Sequence, residues 1–99
     1  MHNLSQLLRM YQRHTIALYG LGIETKKVLK ELGDKFHVAG LLDGYRQTGH
    51  LYGTPVISIE QAVADGVKMI LVVARTGSCK AIAKRIGKIC LANRIDLMD

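Results

Sequence analysis

The chain has 99 residues, 48% hydrophobic and 22% charged, and this fits one folded domain with its own core rather than a disordered, collagen-like or disulfide-framed chain. Apolar runs such as Met69-Ile70-Leu71-Val72-Val73-Ala74 fall well short of the ~18 to 20 residues that cross a bilayer, so no membrane span is expected. Fourteen Lys and Arg against eight Asp and Glu leave a formal charge of +6, which suits anionic partners without choosing among them.

The first segment, Asn3 to His14, sets Leu4, Leu7, Leu8 and Tyr11 on one helical stripe, with Arg9, Gln12 and Arg13 away from it. Asn3 with Gln6 forms a loose capping box. This amphipathic helix, residues 1–14, is read as a cover for the chain's own sheet, with docking to a partner as the alternative. Residues 15–99 read as one α/β unit. Thr15-Ile16-Ala17-Leu18-Tyr19 is a short apolar run ending at Gly20, the pattern of a strand buried on both faces. Ile23 to Leu32 returns to helical spacing, with Thr25, Val28, Leu29 and Leu32 on one face and Gly33 as its stop. Phe36 to Leu42 is a second strand, closed by Asp43-Gly44.

Tyr45 to Gly53 has no strong period and reads as a loop, followed by a short third strand at Thr54-Pro55-Val56-Ile57 whose proline suits a strand start or an edge. Ser58 and Gln61 form a capping-box pattern opening a short helix that ends at Gly66. Val67 to Ala74 is the most apolar strand and is expected to be central. A last helix over about Ser78 to Asn93 turns Ile82, Ile86, Ile89 and Cys90 inward, and Ile95 to Met98 is a fifth strand. Strands alternating with helices imply a largely parallel sheet of about five strands in a three-layer arrangement. The chain stops inside its last strand, as a domain with a terminal strand or a piece of a longer protein would.

The strongest chemical signal is Gly20-Leu21-Gly22-Ile23-Glu24-Thr25, where the first strand meets a helix. Gly20 permits a tight turn, and Gly22 lets the backbone approach a phosphate, which would meet N–H groups and the positive end of the helix dipole. Thr25 stands where a G-x-G-x-x-G pattern has its third glycine. Asp43, at the end of the second strand and 21 residues beyond Gly22, occupies the place from which an acidic residue accepts ribose hydroxyls. Asp43-Gly44 also suits a plain turn. Arg75-Thr76-Gly77-Ser78 follows the central strand and opens the last helix at the same sheet edge. Its hydroxyls, N–H groups and guanidinium suit a second phosphate or a sugar, while Ser78 also suits a simple helix cap.

Taken together, Ile16-Ala17-Leu18-Tyr19-Gly20-Leu21-Gly22, Val38-Ala39-Gly40-Leu41-Leu42-Asp43 and Gly49-His50-Leu51-Tyr52-Gly53-Thr54-Pro55-Val56 resemble the small Rossmann-like domain of bacterial polysaccharide-biosynthesis proteins, such as sugar O-acyltransferases and nucleotide-sugar dehydratases. They are also similar to the broader CoA-binding-like group. The resemblance covers about Thr15 to Arg75. It implies a nucleotide-type ligand (NAD(P), CoA or a nucleoside-diphosphate sugar), with Gly20, Gly22 and Asp43 as the matching positions. It also implies a larger bacterial protein with a downstream catalytic domain; the two cysteines, Cys79 and Cys90, too few for a disulfide framework, favour a reducing, cytoplasmic compartment. Thr25 and Gly44 depart from the pattern, which usually carries a second acidic residue at the latter position.

The opening Met1-His2-Asn3-Leu4-Ser5 lacks the basic-then-apolar pattern of a signal peptide. His2, His14, His37 and His50 have no metal spacing, Cys79 sits near a helix N-terminus with no base beside it in sequence, and Cys90 reads as core. Tyr45-Arg46 suits stacking on a base or a polar loop equally. No catalytic constellation stands out, so catalysis by the chain alone is not expected. The leading expectation is a nucleotide-binding module. A non-catalytic regulatory or assembly module is the alternative, and a homodimer suits either. Nucleic-acid binding ranks last, because Lys26, Lys27, Lys30, Lys80, Lys84, Arg85 and Lys88 fall on helices that an α/β fold places on different surfaces.

Overall fold

The computed structural model describes residues 4–44, 46–73 and 78–98, with backbone only at residues 4, 5, 7, 8, 78 and 79. Helix α1 (Leu4–Tyr11) precedes strand β1 (Thr15–Tyr19), helix α2 (Ile23–Leu32), a 3-10 turn (Gly33–Lys35) and strand β2 (His37–Leu42). Strands β3 (His50–Leu51) and β4 (Thr54–Pro55), helix α3 (Ile59–Ala64), strand β5 (Met69–Val72), helix α4 (Ser78–Ala92) and strand β6 (Asp96–Met98) complete the order. Four strands form a parallel sheet in the order β2-β1-β5-β6. Beyond β2, Val56 bridges Leu41 in parallel and the Ile57 N–H donates to the Leu41 carbonyl at 2.8 Å, so the segment after β4 supplies the expected third strand as a short edge.

The segment read as a loop holds one further element. β3 and β4 form an antiparallel hairpin joined by Tyr52 and Gly53, whose φ values of +55° and +75° are those of a type I′ turn. Strands of two residues are too short to display any alternation, so this hairpin left no periodic signal.

Each interior strand feeds two cores by simple alternation of its side chains. Ile16, Leu18, Met69, Leu71 and Val73 point to one face, where they meet Val28, Leu32, Phe36 and Tyr11. Ala17, Tyr19, Ile70 and Val72 point to the other, where Ala62, Ile82, Ile86 and Cys90 close over them. The result is a three-layer, doubly wound Rossmann-like α/β domain with α1 and α2 on one side and α3 and α4 on the other. All four residues of β5 are buried, matching their unbroken apolar run. At about 1.5 to 3 kcal/mol per buried side chain, that burial outweighs the roughly 1 to 2 kcal/mol of backbone entropy each residue gives up.

Local signals hold up where the helices end. Gly33, at φ +53°, closes α2 with its N–H on the Leu29 carbonyl. The Ser58 hydroxyl accepts the Gln61 N–H at 3.0 Å and caps α3. The Gln61 amide instead donates to Asp65 at 2.8 Å, so only half of the expected reciprocal box is built. Helix α1 is fastened to its own sheet. Tyr11 is buried, and its hydroxyl donates to an Asp96 carboxylate oxygen at 2.6 Å on β6.

Candidate functional site

The three strands that converge on the candidate site stay hydrogen-bonded up to its floor. The Gly20 N–H donates to the Leu42 carbonyl and the Val73 N–H donates to the Tyr19 carbonyl, each at 2.9 Å. Gly20 then turns the chain at φ +139°, a conformation that L side chains rarely adopt, and a Cβ there would run into the Val73 carbonyl oxygen. Two residues later Gly22, extended at φ −78° and ψ −179°, stands at the N-cap of α2. It brings no side chain to cap the first turn, and a Cβ at this position would meet no described residue within 4 Å. Among the described residues the first-turn amides of Ile23 and Glu24 thus form an uncapped helix start of the kind that receives anions.

Leu21 packs on the first core, and its carbonyl accepts the Tyr52 hydroxyl at 3.1 Å. The β3–β4 hairpin is thereby tied to the glycine turn. This bond also anchors a non-glycine residue at positive φ. Ile23 is 65% exposed at the rim. Glu24 is exposed in the first turn and pairs with Lys27 at 3.4 Å, a solvated contact worth little beyond its favourable place near the dipole.

Thr25, at the third-glycine position, is fully buried, and its hydroxyl has no hydrogen-bond partner among the described residues. Its Oγ1 lies 3.1 Å from the point where a Gly20 Cβ would sit, so the helix packs closely against the turn.

Asp43 lies half-buried at the end of β2, beside the glycine turn, and its Oδ2 accepts the Arg46 N–H at 3.1 Å. The Arg46 Nε donates in turn to the Thr48 carbonyl at 3.0 Å, which steadies the chain as it leaves the sheet. The carboxylate thus steadies its own turn. At Gly44 the space a side chain would fill is taken by the Arg85 guanidinium, and the Tyr19 hydroxyl lies 3.5 Å from the same point. Sequence spacing put Arg85 on the outward side of its helix. The residue is exposed, yet its long stem carries the charge across to this edge. Nothing in the local sequence signals that reach, because it depends on where α4 packs. Tyr52 was also missed. Its one sequence cue is the X-Gly pair between two short extended segments.

The structure therefore brings Gly20, Leu21, Gly22, Ile23, Glu24 and Thr25 to the same edge as Asp43 and Gly44. Arg75, Thr76, Gly77 and Tyr45 lie outside the described residues, as do the side chains of Ser78 and Cys79. Cys90 is buried in the second core, and burial raises its thiol pKa. Among the described residues no group of three or more His, Cys, Asp or Glu is placed to hold a metal ion. No helix among them is long and apolar enough to cross a membrane. Lys26, Lys27 and Lys30 lie exposed on α2 in one outer layer, whereas Lys80, Lys84, Arg85 and Lys88 lie exposed on α4 in the other. A scan against protein-family models and a search of curated proteins both find no match to the chain.

Proposed function

We propose that the chain binds one nucleotide moiety, that of a nucleoside-diphosphate sugar or the adenine end of CoA or NAD(P), at the carboxyl edge of its sheet. In this reading it works as a module of a larger bacterial protein of the polysaccharide-biosynthesis kind it resembles. The observation that carries the proposal is the first turn of α2, uncapped by any side chain and with no described residue within 4 Å of a Cβ at Gly22, at the same sheet edge as Asp43, which follows the Leu42 carbonyl that takes the Gly20 N–H. An anionic phosphate suits those amides, and a ribose hydroxyl suits a carboxylate oxygen of Asp43. The Arg85 guanidinium over Gly44 adds a cation to the same edge. The sheet, four strands and one bridging edge, falls short of the six strands of a full dinucleotide fold, so a ligand with one nucleotide moiety suits it better. Catalysis, if the larger protein performs any, belongs to another domain.

A second reading, a regulatory or assembly module without a ligand, is favoured by the Asp43 bond to the Arg46 N–H. Gly22→Val separates the two. The backbone at 22 accepts any residue and the site is open, so the variant should fold with a loss of no more than about 1 kcal/mol, that of a poorer N-cap. Calorimetry with UDP-sugars, NAD(H), NADP(H) and CoA should give binding to at least one compound by the native chain and none by the variant. Silence across the panel with the native chain sinks the nucleotide reading.

A further inference from the structure

We propose that the outer face of α4 is a docking site for an acidic amphipathic helix of a second protein, an inference that stands apart from the nucleotide reading. Ile82, Ile86 and Cys90 bury one side of α4 in the second core, and Lys80, Lys84, Lys88 and Leu91 lie exposed on the side turned away from it. The three lysines follow at i, i+4 and i+8, so they form a row of like charges whose neighbours repel. Arg85 adds a fourth cation, and no acidic residue lies between Ser78 and Ala92. Lys80 also sits in the first turn, where the helix dipole disfavours it, and the last turn holds no basic residue. Helix α2 differs, because its lysines are interspersed with Glu24 and Glu31 and Lys27 pairs with Glu24 at 3.4 Å. No described acid pairs with Lys80, Lys84 or Lys88, the exposed Glu60 and Asp65 at α3 in the same layer included. Within the row Leu91 is 83% exposed. Beside it a Cβ at Gly87 would meet no described residue within 4 Å, so the fold does not itself require this glycine, a poorer helix former than alanine. Lys84, Gly87, Lys88 and Leu91 stand at i, i+3, i+4 and i+7, the four corners of a hole that receives a side chain from a partner helix. An apolar knob fits there against Leu91, while carboxylates on either side of the knob neutralise Lys84 and Lys88. The leucine and the glycine hole distinguish this face from a plain phosphate-binding row, which lysines alone would serve. A second copy is the wrong occupant, because it would set lysine against lysine, and the acidic α3, of six residues, is too short to span the row.

The test titrates the isotope-labelled native chain, followed by NMR, with a synthetic peptide of about 20 residues, long enough to hold a helix by itself, whose leucines repeat at heptad spacing between glutamates. Backbone shifts should concentrate on residues 80–91, and binding should weaken about tenfold between low and physiological salt. A peptide of the same composition with the leucine period scrambled should bind about fivefold more weakly or worse. Leu91→Ala, at an exposed position, should keep the native Tm and lose about fivefold in affinity. Gly87→Gln should raise Tm by roughly 2 to 5 °C, since a better helix former replaces glycine in open space, and still lose about fivefold by filling the hole. Lys84→Glu combined with Lys88→Glu should abolish binding. No binding by the native chain, equal binding of the scrambled peptide, or shifts centred on another element would overturn the proposal. So would unchanged affinity in Leu91→Ala and Gly87→Gln, which would leave only unspecific charge attraction. A single-stranded oligonucleotide, or vesicles containing phosphatidylserine, bound more tightly than the peptide at the same salt would assign the row to that other class and overturn it too. None of these outcomes bears on the Gly20–Gly22 edge, which the nucleotide panel tests separately.

Discussion

At the scale of single residues, the two glycines of the turn carry opposite requirements. Gly20 is fixed by backbone geometry, with its φ of +139° and the Val73 carbonyl against its α-carbon, and a main-chain oxygen cannot step aside as a side chain can. Gly20→Ala should therefore cost more than about 2 kcal/mol, adding backbone strain to overpacking, and urea unfolding would measure the shift in midpoint. Gly22 has ordinary angles, and no described residue lies within 4 Å of a Cβ there, so the fold does not itself require glycine at this position. The sequence marks both positions with the same letter, and no spacing rule separates them. Thr25 is similar. Its place on the inward stripe of its helix was legible, but the missing partner of its hydroxyl is a fact of three dimensions. Cys90 was legible throughout, since its helical phase alone put it in the core. Burial keeps its thiol protonated, so iodoacetamide near neutral pH should leave Cys90 unmodified in the folded protein and alkylate it in denaturant. Peptide mapping distinguishes it from Cys79, and rapid native labelling would show that the second core opens readily.

At the scale of elements, the junction of α1 with β6 carries the clearest electrostatic consequence. Burial, then the hydrogen bond to Asp96, then its negative charge raise the Tyr11 hydroxyl from 10.0 to about 12. The folded state thus holds this proton more tightly than the unfolded chain. Its stabilisation is complete below pH 10 and is lost as pH climbs through about 12. Tyr11→Phe should cost about 1 kcal/mol near neutral pH, or roughly 4 to 8 °C in Tm, and the gap between native and variant should close over that alkaline window. An unchanged gap would mean that the hydroxyl contributes through packing alone. The helices were legible because their 3.6-residue period runs for several turns, and the longer strands because they are largely apolar runs bounded by turn residues. The β3–β4 hairpin was not, because two residues show no period and Tyr52 occupies a turn position where asparagine or aspartate would have announced it.

At the scale of the whole molecule, the order of elements was enough to foresee a parallel sheet with helices on both faces. Short-range signals cannot fix register. The register against β2 shifts between Ile16 and Ala17, so that Ala17 pairs with Gly40, and the Ile57 side chain lies across that glycine where a Cβ would come within 2.8 to 2.9 Å of it. The amphipathic stripe of the first helix announces a cover for the sheet but not which face it covers. The architecture decides this, because both crossovers around β5 run on the opposite face and leave Met69 and Leu71 to be covered by other means. Tyr11 meets that need and grips a residue 85 positions away. A bond closing so long a loop forms late, after the strands have assembled, so the barrier to folding is crossed without it. Its loss should leave the refolding limb of a chevron in place and raise the unfolding limb about fivefold per kcal/mol. The lifetime of the native state, rather than the speed of reaching it, is what this clasp governs.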